Sequence, residues 1–568
     1  MTAEPGDPAV GRVMGTEDAT PLRFWFALQS GRVVQLDDVV VTERRTSDGD
    51  VLLSGVVTQV RARHEGARFD SDVFLIEDGL LPAQVSEAAE VLTTRVEPEV
   101  YVPPLPGTEV RRALGKERDR ALYFDQMDQR LPIGLGRDGE VLYANFDFVD
   151  GTRGAHVNIS GISGVATKTS YATFLLYSMF HSGVLGAEAA NTKALIFNVK
   201  GEDLLFLDHP NARLDDQQRA RYAAVGLPSG PFGSVAVYAP PRRGDPNAGP
   251  DVATRTTGLD VYYWTLAEFV QEELLPFAFV EPEDERNQYT MLIHWVAAHL
   301  KREGEPSGHD GAWKIDDRVL RTYAELVDHV VDNLTLQSWQ PPATSMGTVN
   351  AFVRRLLSSQ RALGHLVRAD IPLRSRHTIR TSDAQVTIVD LHNLPDRAQR
   401  FVVGVTVKRT FEEKEAAGSA RPLLFLVLDE LNKYAPREGQ SPIKEILLDV
   451  AERGRSLGVL LIGAQQTASE VERRVIANSS IRVVGRLDTA EAARAEYGFL
   501  PAIHRERATI AKPGTMFVSQ PEIPVPLVVE FPFPAWATRP GERESSVAGP
   551  AGSADGPADA DDPFAGLS

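Results

Sequence analysis

From Phe24 the chain runs in short stretches where apolar and polar residues alternate: FWFAL, GRVVQLDDVVV, VLLSGVVTQV, DVFLIEDG and VLTTRVE. Alternation with period two marks half-buried strands, and several such strands at close spacing predict a small β-barrel domain over 21–105. YVPPLPGTEV, from Tyr101, reads as a proline-rich exit from it, so 106–140 is predicted to be a linker. Residues 1–20 are acidic and broken by proline, and are expected to be disordered.

Further along, the apolar runs stop alternating. HVNIS, KALIFNV, AQVTIVDL, LLFLVLDE, VLLIGAQQ and IRVVGRL are continuous apolar segments separated by helical stretches. Strands of that kind are covered on both faces, which points to a parallel sheet in an α/β core, here 141–540. Between about 259 and 376 the pattern becomes mostly helical, as in TYAELVDHVVDNL and TVNAFVRRLLSSQRAL, and is read as an insertion into that core. The segment 541–568 is rich in Gly, Ala, Ser, Pro and Asp and offers too little apolar surface to fold, so a disordered acidic tail is expected.

Composition adds exclusions. The chain has 568 residues and no cysteine, which removes disulfides and cysteine-ligated zinc. No apolar run approaches the roughly 20 residues of a membrane span, and the N-terminus lacks a basic start and apolar stretch, so a cytoplasmic protein with no membrane association is expected. The formal net charge of -18 counts mildly against nucleic acid. A ring protein, however, needs positive charge only along its channel. His64, Glu65, Asp70 and Asp72 in HEGARFDSD are not read as a metal site.

Two segments carry candidate chemistry. In HVNISGISGVATKTSYATFLLYSMF an apolar strand ends at Ser160, a loop of small residues follows, and a helix opens near Thr169. Strand, small-residue loop, Lys-Thr and helix is the layout of a phosphate-binding loop. Gly161, Gly164, Val165, Ala166, Thr167, Lys168, Thr169 and Ser170 are the candidate nucleotide-binding residues. Backbone N–H groups would cradle the phosphates of ATP, Lys168 would neutralise the β and γ phosphates, and the Thr169 hydroxyl would bind Mg²⁺. The pattern departs from GxxxxGK[ST]: Thr167 stands before the lysine, and Gly161 lies one residue too far upstream. An ordinary strand–helix turn with a chance Lys-Thr is the plain alternative. In RPLLFLVLDELNKYAPRE an apolar strand runs straight into Asp429 and Glu430. Acids there lie at the carboxyl edge of the sheet, where open α/β folds bind ligands. Asp429 is the candidate for holding Mg²⁺ through water, and Glu430 for orienting and polarising the attacking water. A third strand, VLLIGAQQT, ends in Gln465 and Gln466, and Gln465 is the candidate γ-phosphate sensor.

Taken in order, these pieces resemble the HerA family, whose relatives are the FtsK translocases. A β-barrel precedes the phosphate loop; NVKGEDLL, a helical insertion, DELNKYAPRE, AERGRSLGVLLIGAQQTASEV, IRVVGRL, KPGTMFV and PLVVEFPFPAWAT follow. Asp429, Glu430, Tyr434, Ala435 and Pro436 fit the family's acidic strand, while Leu431 and Asn432 depart from it. The resemblance implies a RecA-like core, a homo-hexameric ring with ATP at subunit interfaces, and translocation of double-stranded DNA. It also implies a NurA-type nuclease or another effector as partner, in DNA end processing or antiphage defence. Arg455, in AERGRSLG, stands where the family keeps its arginine finger, with Arg486 as second candidate. Arg242 and Arg243, and the group Arg354, Arg355 and Arg361, are candidate DNA contacts. A nucleotide-binding scaffold that no longer hydrolyses ATP is the competing expectation, favoured by the altered loop. Glu430, which binding alone does not require, favours the motor.

Overall fold

The computed structural model describes residues 9–65, 67, 69–82, 84–162, 168–279, 287–308, 310–371 and 376–543. They form two compact units. The first draws on 1–146, 224–226 and 481–532, the second on 147–223, 227–480 and 533–568.

The first unit opens with a closed six-stranded barrel. Its strands are β1 (Gly11–Val13), β2 (Arg23–Leu28), β3 (Val39–Thr46), β4 (Gly49–Glu65), β5 (Gln84–Glu97) and β6 (Glu109–Arg112), in spatial order β1-β2-β5-β4-β3-β6. The barrel therefore overruns the expected 21–105 at both ends. Val10 and Val13 are in its core with Phe24, Phe26, Val57 and Val110, so residues 9–20 are not a disordered tail. The expected linker supplies β6, a helix Lys116–Ala121 and β7 (Arg130–Leu135). A three-residue strand is too short to show alternation, and EVRR carries three charges; neither announces itself. β7 pairs with β8 (Val141–Asn145), so the α/β unit begins after 146 and not at 141.

The second unit holds the parallel strands. These are β9 (Val157–Ser160), β10 (Lys193–Asn198), β11 (Val235–Ala239), β12 (Leu259–Val261), β16 (Val386–Asp390), β17 (Leu424–Leu428) and β18 (Val459–Gln465). Their order is β12-β11-β16-β10-β17-β18-β9, and each neighbouring pair among them is parallel. Buried residues fill β16, β17 and β18 from end to end, as expected for strands covered on both faces. β12 belongs to this sheet, so the insertion starts later than 259. Between β12 and β16 lie helices Leu266–Gln271, Asn287–Glu303, Tyr323–Asn333 and Met346–Leu363, together with a small antiparallel sheet of β13 (Glu305–Ser307), β14 (Ala312–Ile315) and β15 (Arg318–Leu320). Two of these helices start on reciprocal capping boxes, Thr265 with Glu268 and Thr322 with Glu325.

The last strands, β19 (Ile481–Val484), β20 (Thr515–Gln520) and β21 (Ile523–Glu530), return to the first unit. β19 pairs antiparallel with β20, and β20–β21–β7–β8 continue antiparallel. Beyond them Trp536 is fully buried in the second unit against Tyr177 and Phe232. Residues 541–543 are ordered too, with Glu542 accepting from Thr538 and Asn211. The rest of the expected tail, 544–568, lies outside the described residues. Among the described residues no helix is long and apolar enough to cross a membrane.

The helix Pro442–Leu457 sets up the far end of β18. Ser441 caps it, its Oγ accepting from Lys444 N, and Gly458 ends it at φ 69. A Cβ at Gly458 would lie 1.8 Å from the Ala420 carbonyl oxygen, so only glycine fits this turn. His156 ties the helix to the strand: its Nδ1 accepts from Leu461 N at 2.9 Å, and its Nε2 donates to the Ala451 carbonyl at 3.2 Å. Burial pushes the His156 imidazole from 6.5 down to about 4, the bond to Ala451 opposing only in part. The neutral ring is therefore part of the folded state, and its contribution is complete above pH 6.5 and lost as pH falls towards 4. The linkage amounts to about 3 kcal/mol. His156→Gln can make both bonds without titrating. Urea unfolding should show the variant close to wild type at pH 7.5 but losing about 3 kcal/mol less between pH 6.5 and 4. Parallel stability–pH curves would refute the assignment.

Candidate functional site

Five neighbouring parallel strands place their carboxyl ends side by side in the second unit. β9 ends at Ser160, β18 at Gln465, β17 runs into Asp429 and Glu430, β10 runs through Asn198 to Lys200, and β16 ends at Asp390. The helix Lys168–His181 starts at the same edge, after β9. Lys168 is buried, and its Nζ donates to the Gly161 carbonyl at 2.8 Å. Burial pushes this ammonium down to about 8, Asp429 pulling it back up and Lys200 pushing it further down. Gly164, Val165, Ala166 and Thr167 lie outside the described residues, while Gly161 marks the root of the loop and Ser170 is buried in the first turn of the helix.

The Thr169 hydroxyl donates to Asp429 Oδ2 at 2.9 Å, across 260 residues of sequence. Thr169 and Asp429 were singled out as the magnesium pair, and the structure brings them together. A hydroxyl and a carboxylate at that separation, next to a buried lysine at a helix N-terminus, fit a nucleotide triphosphate with Mg²⁺.

Glu430 adopts a left-handed backbone, φ 56, ψ 47. Its N–H turns back onto Asp429 Oδ1 at 2.9 Å. Its two carboxylate oxygens face lysines, Oε1 towards Lys200 at 3.6 Å and Oε2 towards Lys433 at 2.7 Å. Lys200 also reaches Asp429 Oδ2 at 3.1 Å. Burial works to lower the Lys200 ammonium, but Asp429 and Glu430 outweigh it and the net direction is upward. Lys200 was missed as a site residue, although its position two residues past the apolar run KALIFN was a usable signal. Lys433 carried none, since it sits among ordinary surface charges in ELNKYAPRE.

Gln465 does not project into the site. Its side chain is fully buried; Nε2 donates to Asn158 Oδ1 and Ser160 Oγ, both at 2.8 Å, and Asn158 Nδ2 returns a bond to Oε1 at 3.3 Å. Its carbonyl accepts from Gly161 N at 3.2 Å. Gln465 thus clamps the root of the loop, and its exposed neighbour Gln466 is the side chain free to face a ligand. One strand further out, the Asp390 carboxylate accepts from Asn198 Nδ2 and pairs with His392 Nδ1, both at 2.8 Å, a polar cluster that sequence reasoning did not single out.

Arg455 lies at the opposite edge of the sheet, just before β18. Its Nε and Nη2 donate to the carbonyls of Gly151 and Thr152 at 2.9 and 2.7 Å. Seven strand residues at about 3.3 Å each separate it from Gln465, about 20 Å in all. Arg486 is in the other unit, with Nε on the Thr509 carbonyl. Arg242 and Arg243 are exposed on the loop after β11, Arg354 and Arg361 are exposed on the helix Met346–Leu363, and Arg355 packs over the Tyr289 ring at 4.7 Å.

No family profile and no curated protein matches this chain. Among solved structures it is similar to VirB4 of Thermoanaerobacter pseudethanolicus, at 14% identity, TM-score 0.43, covering 71% of this chain and 96% of that one. It is also similar to the bacterial conjugative coupling protein TrwBdeltaN70, at 12% identity, TM-score 0.47, covering 75% and 95%. The genome packaging NTPase B204 from Sulfolobus turreted icosahedral virus 2 matches at 10% identity, TM-score 0.20, over 26% of this chain and 70% of that one. Scores this low bear on neither fold nor function, which rest on the geometry above.

The left-handed Glu430 gives a direct test that its conformation serves the site and not the fold. A non-glycine residue there costs about 1 kcal/mol or more. Glu430→Gly should be more stable than Glu430→Gln by about 1 kcal/mol in denaturant unfolding, the reverse of the order in a regular helix. A glycine variant less stable than the glutamine variant would show that the strain is absent.

Proposed function

We propose that this chain is an ATP-hydrolysing motor of the HerA type, acting as a homo-hexameric ring on double-stranded DNA. The observation that carries the reading is the contact between Thr169 and Asp429 at 2.9 Å, with Lys168 and Glu430 at the same sheet edge. Lys168 would bind the β and γ phosphates, and Thr169, with Asp429 through water, would hold Mg²⁺, which would draw charge from the phosphate oxygens. Glu430 orients a water and accepts its proton as the water attacks the γ-phosphorus. The bond from that phosphorus to the bridging oxygen breaks, and ADP leaves with the electron pair.

Arg455 cannot assist its own site from about 20 Å away. Its place at the end of an amphipathic helix favours service at a neighbour's site, which is the reason for proposing a ring. Leaving its two backbone carbonyls for a phosphoryl group would exchange neutral partners for a charged one. DNA as the substrate is supported by the resemblance and by the exposed arginines Arg242, Arg243, Arg354 and Arg361. A NurA-like nuclease or other effector, in end processing or antiphage defence, comes from the resemblance alone. The competing reading, a nucleotide-binding ring scaffold without hydrolysis, is favoured by Thr167 before the lysine and by the two lysines clasping Glu430.

Hydrolysis separates the two. The wild-type chain should turn over ATP with Mg²⁺ and duplex DNA, and Glu430→Gln should keep nucleotide affinity while losing about 10²-fold or more in rate. Nucleotide bound but never cleaved by the wild type would leave the scaffold reading standing. Subunit sharing is read by mixing. Arg455→Ala and Lys168→Ala subunits, each inactive alone, should regain activity in mixed rings, because some interfaces then pair an intact loop with an intact arginine. Verified mixed rings that stay inactive would exclude a role for Arg455 across the interface.

A further inference from the structure

Two acids in sequence at one strand end repel each other, and Asp429 is almost fully buried. Something must neutralise them before a nucleotide arrives. β10 lies beside β17 in parallel register, Phe197 opposite Leu428, so the residues just past both strands emerge together. This places Lys200 Nζ 3.1 Å from Asp429 Oδ2 and 3.6 Å from Glu430 Oε1. Asp429 Oδ2 is the same oxygen to which Thr169 donates. Lys200 and Thr169 therefore share one oxygen of the carboxylate that would hold Mg²⁺.

We propose that Lys200 is a resident cation that holds the magnesium position in the nucleotide-free site and lets go of Asp429 when Mg²⁺ takes it, so that it sets how strongly nucleotide binding depends on Mg²⁺. This rests on the ATPase reading above. A divalent ion at Asp429 would repel the ammonium on the same oxygen, so the two compete for Oδ2. The ammonium is free to move. Its side chain is 41% exposed, it sits on a flexible stem, and Gly201 follows at φ 51. Lys168 is a poor substitute, since it is buried and anchored on the Gly161 carbonyl. Without Mg²⁺, a triphosphate would face Asp429 and Glu430 with Lys200 as the mobile charge that keeps them apart. Lys200 is accordingly a positioning residue, acting through the two carboxylates and the phosphates' counter-ion. Lys433, on the outer oxygen of Glu430, leaves Asp429 untouched and does not duplicate it.

The test is the ratio of dissociation constants for a fluorescent ATP analogue measured in EDTA and at saturating Mg²⁺. It is read for the wild type, Lys200→Met and Lys200→Arg, with no turnover required. Lys200→Met should weaken Mg²⁺-free binding about tenfold or more while leaving Mg²⁺-saturated binding within about threefold, so the ratio rises. Lys200→Arg keeps a mobile cation and should stay near the wild-type ratio. A merely structural lysine would shift both constants together. A ratio in Lys200→Met within twofold of wild type, or an equal rise in Lys200→Arg, overturns the assignment while leaving the ATPase reading intact. A wild-type chain that binds no analogue at any Mg²⁺ concentration overturns that reading instead, and this inference with it.

Discussion

Seven strands pointing the same way are the constraint on which the site depends. In a parallel sheet every carboxyl end lies at one edge, so residues far apart in sequence meet there without any loop having to find its partner. β9 and β17 are separated only by β18, and strands stand about 4.8 Å apart, so the gap from Ser160 to Asp429 is about 10 Å. The first turn of the helix Lys168–His181 reaches across it, where the Thr169 hydroxyl donates to Asp429. The same parallelism puts Arg455 at the amino edge. The rule that brings Lys168, Thr169, Asp429 and Glu430 to one edge thus puts Arg455 about 20 Å from them, at the other.

The edge is held at a cost. Glu430 sits in a left-handed conformation, Lys168 is an ammonium with little access to water, and two adjacent carboxylates share one lysine. None of these helps the sheet to fold. Each is the kind of local conflict that a fold tolerates where a ligand will resolve it. Under the proposed function a triphosphate would satisfy Lys168, and a divalent ion would satisfy Asp429. The clamp of Gln465 on Asn158 and Ser160 keeps the root of the loop still meanwhile, since its buried polar atoms would be left unpaired if β9 slid along β18.

The central strands were legible because fully buried strands write themselves as unbroken apolar runs: VNIS, KALIF, VTIVD, LFLVL and VLLIGA all became parallel strands. The paired motifs gave Lys168, Thr169, Asp429 and Glu430, and the structure places these at one edge. Short elements were lost. β1, β6 and β12 have three or four residues each, too few for any period to show. Gln465 was misjudged because a strand end has two faces; the register that turns Gln465 inward and Gln466 outward is set by pairing with β9. Lys200 escaped because its meaning depends on the adjacency of β10 and β17, which no local pattern reveals.

Under the ring reading, β18 acquires a mechanical part. It is continuous and buried over its whole length, with Gln465 at the phosphate-loop end and Gly458 at the other. Gly458 cannot yield, because the Ala420 carbonyl fills the place of a side chain there. His156 bonds to β18 at Leu461 and to the arginine-bearing helix at Ala451, so strand and helix cannot slide independently without breaking one of these bonds in a buried place. A shift at the γ-phosphate end therefore has only two outlets: break the clamp at Gln465, or carry the helix and Arg455 along. The bonds from Arg455 to Gly151 and Thr152 are the weaker restraint, being exposed and made to neutral carbonyls. The fold thus directs displacement at one subunit's phosphate site towards the arginine offered to the next.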